Sequence, residues 1–320
     1  MRPGEELTIY DLAGLLSPPA PLAEPDDFDA FWGRTRTELL APGLDVAVEE
    51  EVETAAHTVQ RISFASSAGE RATAWLALPA APVHGGLVFG HGYGGRDAPE
   101  MDRVPAGVAA VFPVANGFSR YVKSAFPAIG SDHVLHGIAD RETYAHRFAV
   151  ADIWRAASLL LDAAPGARHR LDYLGVSFGG GIGALALAFD DRFRRAVLDV
   201  PSFGHFPMRL SRLCTGSGEA VRRHLVDHPE DRATLDWFDA AIAARRIRIP
   251  VLVAAALQDP SVDPRGQFAV YHALGGEKRL TVREVGHLDG PLADEAERRV
   301  RRHGVEFLAA GDLAEIPGRR

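Results

Sequence analysis

The stretch Tyr173-Leu174-Gly175-Val176-Ser177-Phe178-Gly179-Gly180-Gly181-Ile182-Gly183 decides how this chain folds. Upstream, Leu171, Tyr173, Leu174 and Val176 form a short apolar run that predicts a buried strand. Downstream, the Gly/Ala-rich run over residues 184–189 predicts a buried helix. Between them, Gly175-x-Ser177-x-Gly179 is the nucleophile-elbow pattern, a strand-to-helix turn so tight that its serine is strained. A Cβ at either glycine would collide with the neighbouring strand or helix. The turn lifts the Ser177 hydroxyl clear of the sheet edge and aims the Phe178 N–H, at the positive end of the helix, at any oxyanion formed there. The bland alternative is a Gly-rich turn whose serine only caps the helix.

Working outward, residues 86–90, 107–114, 170–176, 195–200, 251–256 and 278–285 are short apolar runs. Helical patterns over 144–161 and 267–274 separate several of them. Such alternation predicts an α/β fold with a mostly parallel sheet and helices on both faces. Upstream, alternation over 46–78 predicts antiparallel strands, with a turn at Ser66-Ser67-Ala68-Gly69. Residues up to Glu24 are proline-rich and read as an irregular arm. Asp26 then reads as the N-cap of a helix carrying Phe28, Phe31, Trp32 and Leu39 on one face. The expected organisation is a single domain over 1–320, with an N-terminal arm and helix over 1–40. Two long segments break the rhythm: a polar, Gly- and His-rich loop at 115–142, and an inserted, cap-like piece at 201–246 containing Trp237 and Phe238.

Composition excludes several function classes. The chain has 320 residues, 47% of them hydrophobic, enough to bury a large core. The net charge of −8 and the lack of an isolated basic run argue against a nucleic-acid partner. The lone Cys214 allows no intrachain disulfide. The N-terminal residues lack a basic-then-apolar leader pattern, and no apolar run is long enough to span a bilayer. A cytoplasmic protein is the expectation.

A serine is a weak nucleophile until a base accepts its proton, and that base needs a carboxylate to hold its tautomer. Behind an elbow the chain order is Ser, acid, His. The strand at 251–256 runs into Gln258-Asp259-Pro260, and the strand at 278–285 runs into Gly286-His287. Ser177, Asp259 and His287 are therefore the candidate catalytic residues, with Asp263 the rival acid four residues on. Of the thirteen histidines, position after the last strand singles out His287. His133 and His136 form a His-x-x-His pair, but with no third ligand in view they read as structural. The loop Gly90-His91-Gly92-Tyr93-Gly94-Gly95 follows a buried strand, where the second oxyanion donor is expected. The amides of Tyr93 and Phe178 are the candidate oxyanion hole, and His91 is expected to brace the loop. The loop lacks the Lys-Ser/Thr of a phosphate-binding P-loop. The expected chemistry needs no metal or organic cofactor.

The chain also resembles the acetyl xylan esterase and cephalosporin-C deacetylase family of α/β-hydrolases. The resemblance is carried by Pro25-Asp26-Asp27-Phe28-Asp29-Ala30-Phe31-Trp32, Gly137-Ile138-Ala139-Asp140-Arg141-Glu142-Thr143-Tyr144, Thr234-Leu235-Asp236-Trp237-Phe238-Asp239 and Asp259-Pro260-Ser261-Val262-Asp263-Pro264. It favours Asp259 over Asp263, which falls on a family proline. Three motifs depart from the family: Phe178 replaces a glutamine after the nucleophile, Val114-Ala115-Asn116-Gly117 replaces an Arg-Gly-Gln, and Leu288 replaces a glutamate after the histidine. The resemblance implies a divergent serine carboxylester hydrolase that removes small, acetyl-like acyl groups from a sugar or other small alcohol. It also implies a homo-oligomer, often a hexamer. A peptidase, a lactone-type hydrolase or a non-catalytic binding protein of the same fold are the alternatives.

Overall fold

Nine strands form one sheet in the order β1-β2-β3-β5-β4-β6-β7-β8-β9. They are β1 (Ala47–Glu53), β2 (His57–Ala65), β3 (Arg71–Pro79), β4 (Gly85–Gly90), β5 (Val108–Val114), β6 (Leu171–Val176), β7 (Phe193–Asp199), β8 (Val251–Gln258) and β9 (Lys278–Val285). The computed structural model describes residues 9–41 and 43–310. The predicted arm and N-terminal leader reading therefore fall partly outside the described residues.

The first three strands and the β3–β5 pair are antiparallel, whereas every pair from β5 through β9 is parallel. The predicted switch from antiparallel to parallel is what the sheet contains. Strands β4 and β5 are buried at every residue, with Val88, Ala109 and Val111 in one apolar cluster and Leu87, Phe89, Ala110 and Phe112 in another, and this is why they read as unbroken apolar runs. Strand β1, Ala-Val-Glu-Glu-Glu-Val-Glu, is exposed throughout, and its carboxylates protect an open sheet edge from pairing with another chain. The turn between β2 and β3 is where the sequence expects it, with Gly69 at φ 79°.

Helix Ala145–Ala163 lies against the sheet and is tied to the helix that follows the elbow by the Trp154 indole N–H, which donates to Ala186 O at 2.9 Å. The helix over Phe28–Leu40 packs Trp32 edge-on against Trp154 and Phe238. Its cap corrects the sequence reading. Asp27, not Asp26, holds the N-cap position, and its side chain does not cap. The Asp27 carboxylate instead accepts from the Trp237 indole at 3.0 Å and from Arg141 at 2.9 Å. Two partners from distant segments outcompete the local amides. The arm before this helix is also less irregular than expected: it contains a short helix, Leu12–Leu15, and Tyr10 N donates to Leu257 O at 3.0 Å.

Within 115–142 the backbone is largely irregular around the short helix Gly130–His133. Segment 201–246 contains helices Phe206–Leu210, Gly216–Asp227 and Ala240–Ala244. Among the described residues no helix is long and apolar enough to cross a membrane.

Candidate active site

The carboxyl ends of β4, β6, β8 and β9 meet at one edge of the sheet, and the loops leaving them carry the polar groups expected from the sequence. Strand β6 turns directly into helix Phe178–Leu187 at Ser177, whose φ of 53° and ψ of −110° are costly for a residue with a Cβ. The glycines allow this turn. A Cβ on Gly179 would lie 2.5 Å from the backbone of Gly90, and one on Gly175 would run into the Gly179 carbonyl. Beneath the turn the Tyr173 hydroxyl donates to Gly179 O at 2.7 Å. From the side, Ser177 N donates to Asp199 O at the end of β7, at 2.8 Å.

Among the described residues, six non-glycine residues have positive φ: Asp45, Ser177, Val200, Phe203, His205 and His287. All but Asp45 sit at this edge. Strain of about 1–3 kcal/mol per residue persists only where the surroundings over-determine the backbone, so its concentration here marks a built site.

His287 Nε2 lies 2.8 Å from Ser177 Oγ, and His287 Nδ1 lies 2.7 Å from Asp259 Oδ2. One tautomer suits both contacts: Nδ1–H donates to the carboxylate, and Nε2 accepts from the serine hydroxyl. Asp259 is itself held, with Oδ1 accepting from the amides of Ser261 and Val262, both at 2.9 Å. Asp263 is turned elsewhere. It caps helix Pro264–Ala273 through the Arg265 amide and pairs with the Arg265 guanidinium at 2.6 Å. Gly286 admits the aspartate, because a Cβ there would strike Asp259 Oδ2.

The loop after β4 reaches the nucleophile closely: a Cβ on Gly92 would be 3.5 Å from that of Ser177. Among the described residues, no acceptor takes the amide of Tyr93 or of Phe178, so both stay available beside the serine. His91 braces this loop as expected, accepting from Ala115 N at 2.9 Å through Nε2 and donating from Nδ1 to Gly92 O at 2.6 Å. The Tyr93 ring stacks on Phe178 with centroids 4.2 Å apart. Its hydroxyl is 2.9 Å from His146 Nε2 and 3.4 Å from His133 Nδ1. His133 therefore belongs to an aromatic wall with Phe118 and Phe178, while His136 packs on Phe126.

Burial sets the charges of this wall. It lowers His91 to about 4, helped by the Arg96 charge, and His133 to about 3. It also pushes His146 well below the ordinary histidine range and Tyr93 well above the phenol range. All are neutral near pH 7.

Sequence reading missed several supports. Gln267, fully buried in helix Pro264–Ala273, donates to Asp259 Oδ2 at 3.0 Å and accepts from Ala256 N at 2.8 Å. Its only signal was a polar residue on the buried face of that helix. Asp199 is held by Arg283 at 2.9 Å and Arg103 at 3.5 Å, and so anchors the strand end that receives the Ser177 amide. Asp239 gathers the amides of His205, Phe206, Ala241 and Ile242 and joins two helix starts. Trp237 and Phe238 serve the helix Phe28–Leu40, through Asp27 and Trp32.

Known proteins share this architecture. The acetyl xylan esterase of Paenibacillus sp. R4 superposes with a TM-score of 0.80 at 24% identity, over 92% of this chain and 99% of that one. Acetyl xylan esterase 1 of Thermoanaerobacterium sp. JW/SL YS485 gives 0.77 at 20% identity, over 94% and 99%. The acylaminoacyl peptidase of Pyrococcus horikoshii shares the fold more loosely, at 0.56 and 14% identity over 88% of this chain and 52% of that one. The sequence profile of the acetyl xylan esterase (AXE1) family matches residues 18–300. The chain thus belongs to the acetyl xylan esterase family of α/β-hydrolases and is a carboxylic ester hydrolase.

Proposed function

We propose that Ser177, His287 and Asp259 hydrolyse small acyl esters, acetyl above all, through an acyl-enzyme. Ser177 Oγ attacks the ester carbonyl as His287 Nε2 takes its proton. The amides of Tyr93 and Phe178 receive the oxyanion, where one such donor contributes about 3–4 kcal/mol to the transition state. The C–O bond then breaks, with the Nε2 proton passing to the leaving alcohol. Water, deprotonated by the same nitrogen, attacks the acyl-enzyme and releases the acid, and Ser177 recovers its proton. Asp259 stays ionised and stabilises the imidazolium.

The observation that carries this reading is the unbroken relay from Oγ to Nε2 at 2.8 Å and from Nδ1 to Oδ2 at 2.7 Å, on a serine in a strained elbow. The preference for acetyl on a sugar or small alcohol is supported by family membership and by the names of the two acetyl xylan esterases. As part of the same reading, the chain is a single α/β-hydrolase domain in which segment 201–246 caps the site, and copies of it form a homo-oligomer. Light scattering that finds only a 34.5 kDa species would remove the last point.

The test is hydrolysis of p-nitrophenyl acetate by the wild type and by Ser177→Ala, with mass spectrometry after a fluorophosphonate probe. Turnover by the wild type alone, with one adduct on Ser177, is the expected result. Equal background rates and no adduct would sink the mechanism and favour a binding protein of this fold.

A further inference from the structure

Among the described residues, Arg209 is a buried charge none of whose three side-chain nitrogens has a hydrogen-bond partner. It lies in helix Phe206–Leu210 and is only 3% exposed. Its guanidinium carbon sits 5.2 Å from the ring centre of Phe203, a contact that favours the charge and satisfies none of the N–H groups. The carboxylates of the surrounding segments are already engaged. Asp263 is paired with Arg265, Glu219 with Arg222 and Arg223, and Asp239 with four backbone amides. A buried cation kept without its own acid is rare enough to need a reason.

Two more buried groups nearby are in the same condition. The Tyr144 hydroxyl and His146 Nδ1 have no partner either. Their rings are 4.4 Å apart, and the His146 ring is 4.3 Å from that of Phe203. The Arg209 charge is close enough to act on the ionisation of Tyr144, His146 and Tyr93. A Tyr93 hydroxyl that donates to His146 Nε2, 2.9 Å away, leaves the ring proton on Nδ1. Burial keeps Tyr144 protonated. All three groups are then donors without acceptors, and the group that complements such a set is an anion with several lone pairs.

This set is next to the serine. Ser202 N donates to Ser177 O at 3.0 Å, Phe203 follows it, and the Phe203 ring is 6.1 Å from that of Phe178. Burial holds His91, His133 and His146 neutral, and the Arg96 charge beside His91 is taken up by Glu100 and the Phe89 carbonyl, so Arg209 is the cation beside this wall whose N–H groups have no partner.

We propose that Arg209, with Tyr144 and His146, receives a free carboxylate of the ester substrate, so that this enzyme prefers esters carrying a carboxylate on the acyl or the alcohol arm. The proposal rests on the esterase reading above. A planar guanidinium with paired N–H groups matches carboxylate geometry, and a buried site built to bind such a group discriminates against substrates that lack it.

Two matched ester pairs test it and separate the arms: mono-p-nitrophenyl succinate against its methyl ester, and 4-acetoxybenzoate against methyl 4-acetoxybenzoate. In one pair the wild type should favour the charged member in kcat/KM by about tenfold or more. Arg209→Met should collapse that ratio, and Arg209→Lys should keep part of it. No preference in either pair, or a ratio untouched by Arg209→Met, overturns the proposal. A second readout needs no turnover: succinate or benzoate should raise the thermal midpoint of Ser177→Ala but not of Ser177→Ala/Arg209→Met. If no ester is cleaved, the hydrolytic reading fails and this shift alone decides the subsite. A shift reproduced by chloride at equal ionic strength, or no shift at all, counts against a carboxylate site.

Discussion

The side-chain amide of Gln267 donates at 3.0 Å to the same Asp259 oxygen that lies 2.7 Å from His287 Nδ1. The aspartate is thereby fixed from both sides of its acceptor. Gln267→Leu removes a hydrogen bond to a charged group, worth about 1.5–3 kcal/mol. We expect kcat/KM on p-nitrophenyl acetate to fall by about ten- to a hundredfold. The acidic limb of the pH–rate profile should move as well, which a purely structural loss would not produce. An unchanged limb would reduce Gln267 to a packing residue.

Asp259 and Asp263 are four residues apart and engage different partners. Asp259→Asn leaves His287 facing an amide and favours the wrong tautomer, so kcat should drop on the order of 10⁴-fold. Asp263→Asn disturbs a helix cap and an ion pair with Arg265, and should cost on the order of 1 kcal/mol of stability with kcat nearly retained. Steady-state kinetics and urea unfolding of both variants distinguish the two roles. Similar kinetic losses in both would contradict the assignment.

Gly179 packs against the Gly90 backbone with no room for a methyl group. Gly179→Ala should therefore destabilise the fold by about 3 kcal/mol or more, since β4 and the elbow would have to separate. The urea midpoint reports this directly. A variant as stable as the wild type would mean that the sheet edge is softer than these contacts imply.

The buried histidines make stability depend on pH. An unfolded His91 or His133 titrates near 6.5, while the folded ones are lowered to about 4 and about 3, chiefly by burial. Below pH 6.5 the unfolded chain binds protons that the native chain refuses, so stability rises with pH across that window. The contribution is complete above 6.5 and is lost as pH falls through about 4 for His91 and about 3 for His133. Asp152 acts in the opposite sense: burial raises it from 3.8 to about 6, and its contribution is lost as pH rises through about 6. His133→Phe should flatten the dependence between pH 6.5 and 4 by about 1.4 kcal/mol per pH unit. Unfolding midpoints of both proteins across this range check the slope, and identical slopes would show His133 charged in the fold.

Much of this protein is written locally. The elbow is legible because a serine at φ 53° can be reached only between glycines whose Cβ positions are occupied. The sheet is legible because strands buried on both faces must be continuously apolar, and those with an open face must alternate. The order of Ser177, Asp259 and His287 follows from their places after three strands.

Tertiary packing decided what depends on partners distant in the chain. Residues 26 and 27 are both aspartates, and sequence could not say that Trp237 and Arg141 would claim the second. Nothing local marks Gln267 as the support of Asp259. The unpaired state of Arg209 is legible only once every acid around it has been seen to be engaged elsewhere. Backbone conformation and burial are set by neighbours a few residues away, whereas hydrogen bonds and charge pairs are set by whichever group the fold brings within 3 Å or so.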